Sequence, residues 1–172
     1  HPKIALPKDL FGEARRNSAG LDIANENVLA VLAKDLAAAA AQTWNAAPVV
    51  GGEVGQGAAS PVLNPADHSD RVGAVVKARP ADVNAAFTRA AQAAGAWALT
   101  PAAERAAILA RAADLLEARM TPLLGLIIRE AGKSLPNAVA EVREAVDFLR
   151  YYGAEAVRTL SHGGYDPVGP VV

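Results

Sequence analysis

The residues with chemical promise form no complete reactive set. Gly52-Glu53-Val54-Gly55-Gln56-Gly57 carries part of the glycine pattern that lets a backbone approach a dinucleotide pyrophosphate. That use needs a strand before the glycines and a helix after them, and Pro61 stands where the helix would open, which favours a linker. Gly132-Lys133-Ser134 resembles the end of a phosphate-binding loop, yet Ile127 occupies the place of its first glycine and a helical pattern precedes it. A helix stop followed by the next cap is the expected structure. His1, His68 and His162 are far apart, each in an expected loop and without a second ligand at metal-binding spacing. Glu141, Arg143 and Asp147 suggest a solvated charge stripe with a few tenths of a kcal/mol, roughly, in pairing. The sequence contains no cysteine, which excludes a thiol nucleophile, a disulfide or a Cys-ligated metal within these residues.

The elements that must position these groups are mostly helical. Residues 1–24 mix prolines, glycines and charges without a period and read as irregular. Asn25 then caps a helix to about Gln42, with Val28, Leu29, Leu32 and Leu36 on one face. The glycines of 45–60 suggest a flexible connection and a domain boundary. Pro61–Asn64 and Val72–Lys77 suggest two short strands joined by a turn-rich loop. Four more helices follow. One starts near Pro80 and is ended with help from Gly95; two start at Thr100-Pro101 and Thr121-Pro122, each read as a hydroxyl cap before a first-turn proline. Their buried stripes are expected at Ile108, Ala112 and Leu115, and at Leu124, Ile127 and Ile128, with Gly132 as the second stop. The last helix, Pro136 to Leu160, repeats Val139, Val142, Val146, Leu149, Gly153, Val157 and Leu160. Beyond Gly163-Gly164 the residues read as the entry to a strand, cut short at Val172.

Composition narrows the function classes. At 172 residues the chain can hold one core, but much of its 52 % apolar content is alanine, which buries little area, so a partner body is expected to complete it. A net charge of −1 with mixed signs gives no footprint for nucleic acid or a membrane surface. The start His1-Pro2-Lys3 has neither Met nor a signal-peptide hydrophobic region, so the sequence is expected to begin mid-protein, and the absence of cysteine fits a reducing compartment, with a cytoplasmic setting as the expectation.

In order and spacing, Val62-Leu63-Asn64-Pro65-Ala66, Val72-Gly73, Asp82-Val83, and Trp97 before Pro101-Ala102-Ala103-Glu104-Arg105 are similar to the amino-terminal part of aldehyde dehydrogenases. Arg129–Ala138 and Glu141–Tyr152 resemble more particularly the glutamate-semialdehyde dehydrogenase module of the proline utilization A family. Leu6–Gly12 and Arg16–Asp22 resemble the connection that follows the proline dehydrogenase barrel in those bifunctional proteins. The resemblance implies an α/β parent, a flavin-binding barrel followed by an aldehyde dehydrogenase fold, of which this chain is a mainly α-helical piece with a short β-strand pair. It assigns 1–44 to the end of the proline dehydrogenase region and a linker helix, 45–60 to a Gly-rich connection, and 61–172 to a truncated amino-terminal part of the NAD-binding domain.

The implied parent oxidises proline with FAD and glutamate semialdehyde with NAD. The latter oxidation uses a cysteine nucleophile, an oxyanion-stabilising Asn and a Glu base. None of these matches a position here, so no catalytic, cofactor-binding or metal residue is assigned, and this segment alone is expected to bind no cofactor and to be inactive. One residue carries over: Glu144 matches the acidic residue that faces the substrate ammonium, with a solvated surface charge as the alternative. Phe148 and Tyr152, one and two turns on, line the aldehyde tunnel or pack in the core. The expected partners are the rest of the polypeptide, glutamate semialdehyde and proline, and further copies in a homo-oligomer, with no membrane and no nucleic acid. A non-catalytic helical scaffold or interaction module is the other class compatible with these residues.

Overall fold

The computed structural model describes residues 3–171, and these divide into two compact units. One contains the residues up to Gln42 together with Pro101–Gly163; the other contains Thr43–Thr100 and the residues from Gly164 on.

In the first unit, two 3-10 turns, Pro7–Asp9 and Gly12–Ala14, precede α1, Glu26–Ala40. The Asn25 side chain caps α1, its Oδ1 accepting from the Asn27 N–H at 3.0 Å and the Val28 N–H at 3.4 Å. Then come α3, Ala102–Ala118, α4, Met120–Ala131, and α5, Leu135–Leu160. Leu32 of α1, Leu124 of α4, and Ala138, Val139 and Val142 of α5 form the core, flanked by half-buried Leu36, Leu123 and Ile127. Gly132 ends α4 in the left-handed conformation, φ 64°, as its position at the end of the apolar stripe predicts.

Two expectations for α3 and α4 are corrected here. Ile108 and Leu115 are exposed, while Ala102 and Ala113 are buried. Small side chains let α3 lie close to α5: a Cβ added to Gly153 would sit 3.5 Å from the Ala106 carbonyl oxygen. Neither expected hydroxyl caps a helix. The Thr100 hydroxyl donates back to the Ala96 carbonyl at 3.3 Å, and α4 starts at Met120, which puts Thr121 and Pro122 inside its first turn.

In the second unit, β4, Ala59–Asn64, and β5, Asp67–Val76, form the expected hairpin, and β5 extends through the residues expected as a loop. A third strand, β1, Trp44–Ala46, pairs parallel to β5, giving the order β1-β5-β4. Gly73 permits that pairing, since a Cβ there would fall 1.7 Å from the Trp44 carbonyl oxygen. The stretch read from its glycines as flexible holds a second hairpin, β2, Val49–Val50, with β3, Glu53–Val54. Gly51 and Gly52, φ 61° and 85°, supply the two positive dihedrals of the tight turn.

The helix of this unit, α2, Pro80–Leu99, runs through Gly95 instead of ending there, because a lone glycine costs a helix only about 1 kcal/mol. Its start lacks a Ser or Thr cap, and Asp82 takes over: its carboxylate accepts from the Arg79 N–H at 2.8 Å and from the Arg79 guanidinium at 2.9 and 3.0 Å. Those bonds hold Asp82 at a pKa of about 2. Residues 163–171 form no strand, and Val172 lies outside the described residues.

Candidate functional site

The longest helix of the chain, α5, carries different chemistry on its two sides. The buried side repeats Val139, Val142, Val146 and Gly153, and Arg150 stands in the same stripe with only 7 % of its side chain exposed. Its guanidinium donates to Asp114 at 2.7 Å, to Glu117 at 2.8 Å and to the Asn17 carbonyl at 3.1 Å. Glu117 also accepts the Ala19 N–H at 2.7 Å. Burial by itself would raise the pKa of Glu117, but the Ala19 N–H and the guanidinium outweigh it and hold the carboxyl below its ordinary value. Arg150 is shifted up: desolvation opposes its charge, and the two carboxylates more than restore it.

One turn earlier, Asp147 captures Ser18, which is fully buried, through both carboxylate oxygens. The Ser18 N–H donates at 2.6 Å and its hydroxyl at 3.0 Å, while the Arg143 Nε donates to the same hydroxyl oxygen at 3.2 Å. The expected solvated stripe is therefore corrected: Asp147 and Arg143 serve a segment more than a hundred residues away in sequence. Glu141 of that stripe pairs with Lys133.

The other side of α5 holds the residues assigned by resemblance. Glu144 is exposed, and Phe148 and Tyr152 are 51 % and 58 % exposed, so neither ring packs in the core of the helical unit. Their centroids lie 5.8 Å apart, and Tyr152 meets Tyr151 edge-on at 5.1 Å. Glu144, Phe148, Tyr151 and Tyr152 are spaced four, seven and eight residues apart and share this side of the helix. Such a surface offers a carboxylate beside an aromatic row, suited to a cation with an apolar tail.

The motifs set aside in the sequence have ordinary structural uses. Gly52 turns a hairpin, and Gly132 closes α4 ahead of α5, so neither joins a strand to a helix as a pyrophosphate cradle must. His68 lies on β5 and not in a loop, and His162 sits 3.1 Å from the Arg158 carbonyl oxygen. His1 lies outside the described residues. No group of three His, Cys, Asp or Glu side chains placed to hold a metal occurs among the described residues. None of the described helices is long and apolar enough to cross a membrane.

Residues 54–165 match the aldehyde dehydrogenase family. The chain belongs to that family. Beyond the family match, all 172 residues align at 51 % identity with the bifunctional protein PutA of Escherichia coli (strain K12), of whose length they span 13 %. The 1-pyrroline-5-carboxylate dehydrogenase 2 of Bacillus subtilis (strain 168) is 39 % identical over 95 residues, 55 % of this chain and 18 % of that protein. Among solved structures, a mutant of Thermus thermophilus 1-pyrroline-5-carboxylate dehydrogenase superposes with a TM-score of 0.79 at 29 % identity, over 92 % of this chain and 31 % of its own. The superposition with the Thermus enzyme and the family match together place the mainly helical layout with its small sheet in the aldehyde dehydrogenase fold, as the sequence resemblance implies.

Sequence reasoning missed Ser18, Glu117 and Arg150. A signal existed for Arg150, a charge four residues after Val146 and three before Gly153, on the apolar face of α5. Nothing local marks Ser18, because its partners come from another part of the chain.

Proposed function

We propose that this chain is part of a bifunctional proline-catabolic enzyme, within the module that oxidises glutamate semialdehyde to glutamate with NAD, alongside an FAD-dependent proline dehydrogenase. The observation that carries the reading is the 51 % identity to PutA over all 172 residues, including those ahead of the family match. The stand-alone dehydrogenase of Bacillus subtilis aligns over only 95 of them. On this reading residues 1–44 close the proline dehydrogenase part and its linker helix, 45–60 connect, and 61–172 open the NAD-binding domain. The rest of the polypeptide is then the principal partner, in a cytoplasmic protein, and this segment by itself produces no NADH.

Within the module, Glu144 receives the substrate ammonium, and Phe148 and Tyr152 line the approach of the aldehyde chain. A carboxylate gains most from an ammonium when the surrounding module excludes water. Neither glycine-rich stretch of this chain has a cradle for NAD, so no cofactor step is assigned to these residues. Replacing Glu144 with Ala in the full-length enzyme should raise KM for glutamate semialdehyde by about tenfold or more, the worth of a charge-assisted hydrogen bond. An uncharged aldehyde should change by less than about twofold on the same basis. Equal effects on both substrates would remove the ammonium role.

A further inference from the structure

We propose that Arg15 is a positioning residue for the aromatic side of α5, ordering the rings that meet the aldehyde; this rests on the substrate role of Phe148 and Tyr152 given above. The row Phe148, Tyr152, Tyr151 does not stop at the helix. The Arg15 guanidinium carbon lies 5.3 Å from the Tyr151 ring centroid and 4.2 Å from that of Phe11. Five side chains thus form one continuous contact path: Phe11, Arg15, Tyr151, Tyr152, Phe148.

The backbone holds Arg15 in place independently of its own side chain. Arg150 grips the Asn17 carbonyl, and Asp147 grips the Ser18 N–H and hydroxyl, two and three residues downstream. The segment therefore runs antiparallel to α5, with residues 18, 17 and 15 meeting residues 147, 150 and 151 in turn. Docking of the segment is accomplished by those bonds, and Arg15 makes no ion pair among the described residues. What remains for its side chain are two rings, Phe11 of its own segment and Tyr151 of α5. A half-exposed tyrosine with a free face rotates about its side-chain torsions; one with a planar cation against it, and Tyr152 edge-on beside it, has fewer arrangements. Tyr152 in turn abuts Phe148. Order set at Arg15 is passed along the row by ring contact.

The consequence differs from that of Glu144. Ring order serves any aldehyde that passes the row, whatever its charge, whereas Glu144 serves only the ammonium. Arg15→Ala in the full-length enzyme should raise KM for both glutamate semialdehyde and an uncharged aldehyde by about two- to fivefold, the range of an exposed cation–π contact, with a smaller effect on kcat. Oxidation of proline and the thermal midpoint should stay at wild-type values. Arg15→Lys, which keeps the charge and loses the planar guanidinium, should restore only part of the affinity. If both KM values are unchanged in Arg15→Ala while Glu144→Ala loses only the charged substrate, the substrate reading stands and the Arg15 proposal falls. If Glu144→Ala shows no preference between the substrates, the underlying reading fails. A fall in the thermal midpoint with no KM change would make Arg15 a structural residue and also overturn the proposal. Should Arg15→Ala fail to fold, Arg15→Gln, which removes the cation and keeps most of the stem, is read by the same criteria.

Discussion

Replacing Arg150 with Met tests whether the buried guanidinium holds the early segment against the helices. Methionine keeps most of the aliphatic stem and removes the charged head. The bond to Asp114 counts for little, because that carboxylate is 68 % exposed and such pairs contribute about 0–1 kcal/mol. Glu117 is different: 17 % exposed, it would keep the Ala19 N–H and the more distant, exposed Arg16 at 3.9 Å but lose its nearer, buried counter-charge, and breaking a buried pair from one side costs about 3–5 kcal/mol when no other charge remains. The Asn17 carbonyl also loses its donor, at about 1 kcal/mol or more. The remaining Arg16 and partial exposure bring the Glu117 share down to about 2 kcal/mol, so the total is about 3 kcal/mol. In urea, with a slope of about 2 kcal/mol per molar, the unfolding midpoint of this chain, followed by far-ultraviolet circular dichroism, should drop by about 1.5 M. Pairing Arg150→Met with Glu117→Gln should give a coupling of about 1 kcal/mol or more. A loss under about 0.5 kcal/mol, or no coupling, would mean that water replaces the guanidinium at little cost, and the account of this network would be refuted.

The same pair dictates an acid response. Glu117 has a folded pKa below 4.5, so its contribution is present above that value and is lost as pH falls through the depressed one. The urea midpoint of the wild type should therefore exceed that of Arg150→Met near neutrality, and the gap should narrow as the pH falls below the ordinary glutamate value. A gap constant across that range would assign the effect to packing. Gly73→Ala should separate β1 from β5, because the added carbon meets backbone 1.7 Å away and no rotamer can relieve it. Amide exchange on β1 should then approach that of unpaired chain, while the β4–β5 hairpin keeps its protection; retained protection of β1 would contradict this.

Much of the fold was legible because its signals are short-ranged. The Asn25 cap reaches two and three residues ahead, the Gly132 stop depends on its own dihedral, and the valine repeat of α5 needs only one helix to be seen. The motif order that suggested the aldehyde dehydrogenase family is likewise linear, and the family match to residues 54–165 agrees with it. Where the local signal was weak, tertiary contacts overrode it. Gly95 reads as a stop and sits mid-helix; Ile108 and Leu115 read as core and are exposed, because α3 turns its alanines toward α5. The strands β1 to β3 were hidden in a glycine-rich stretch, where each is only two or three residues long and shows no alternation.

The sequence by itself determined which segments are helical, where α4 stops, and that Glu144, Phe148 and Tyr152 share one side of α5, since all of these follow from spacing along a single element. Only the tertiary structure decided that Asp147 and Arg150 hold Ser18 and Asn17, and that Arg15 closes the aromatic row. Those bonds join positions 129 and 133 residues apart, and a hydrogen bond between such partners leaves no trace in the residues next to either one.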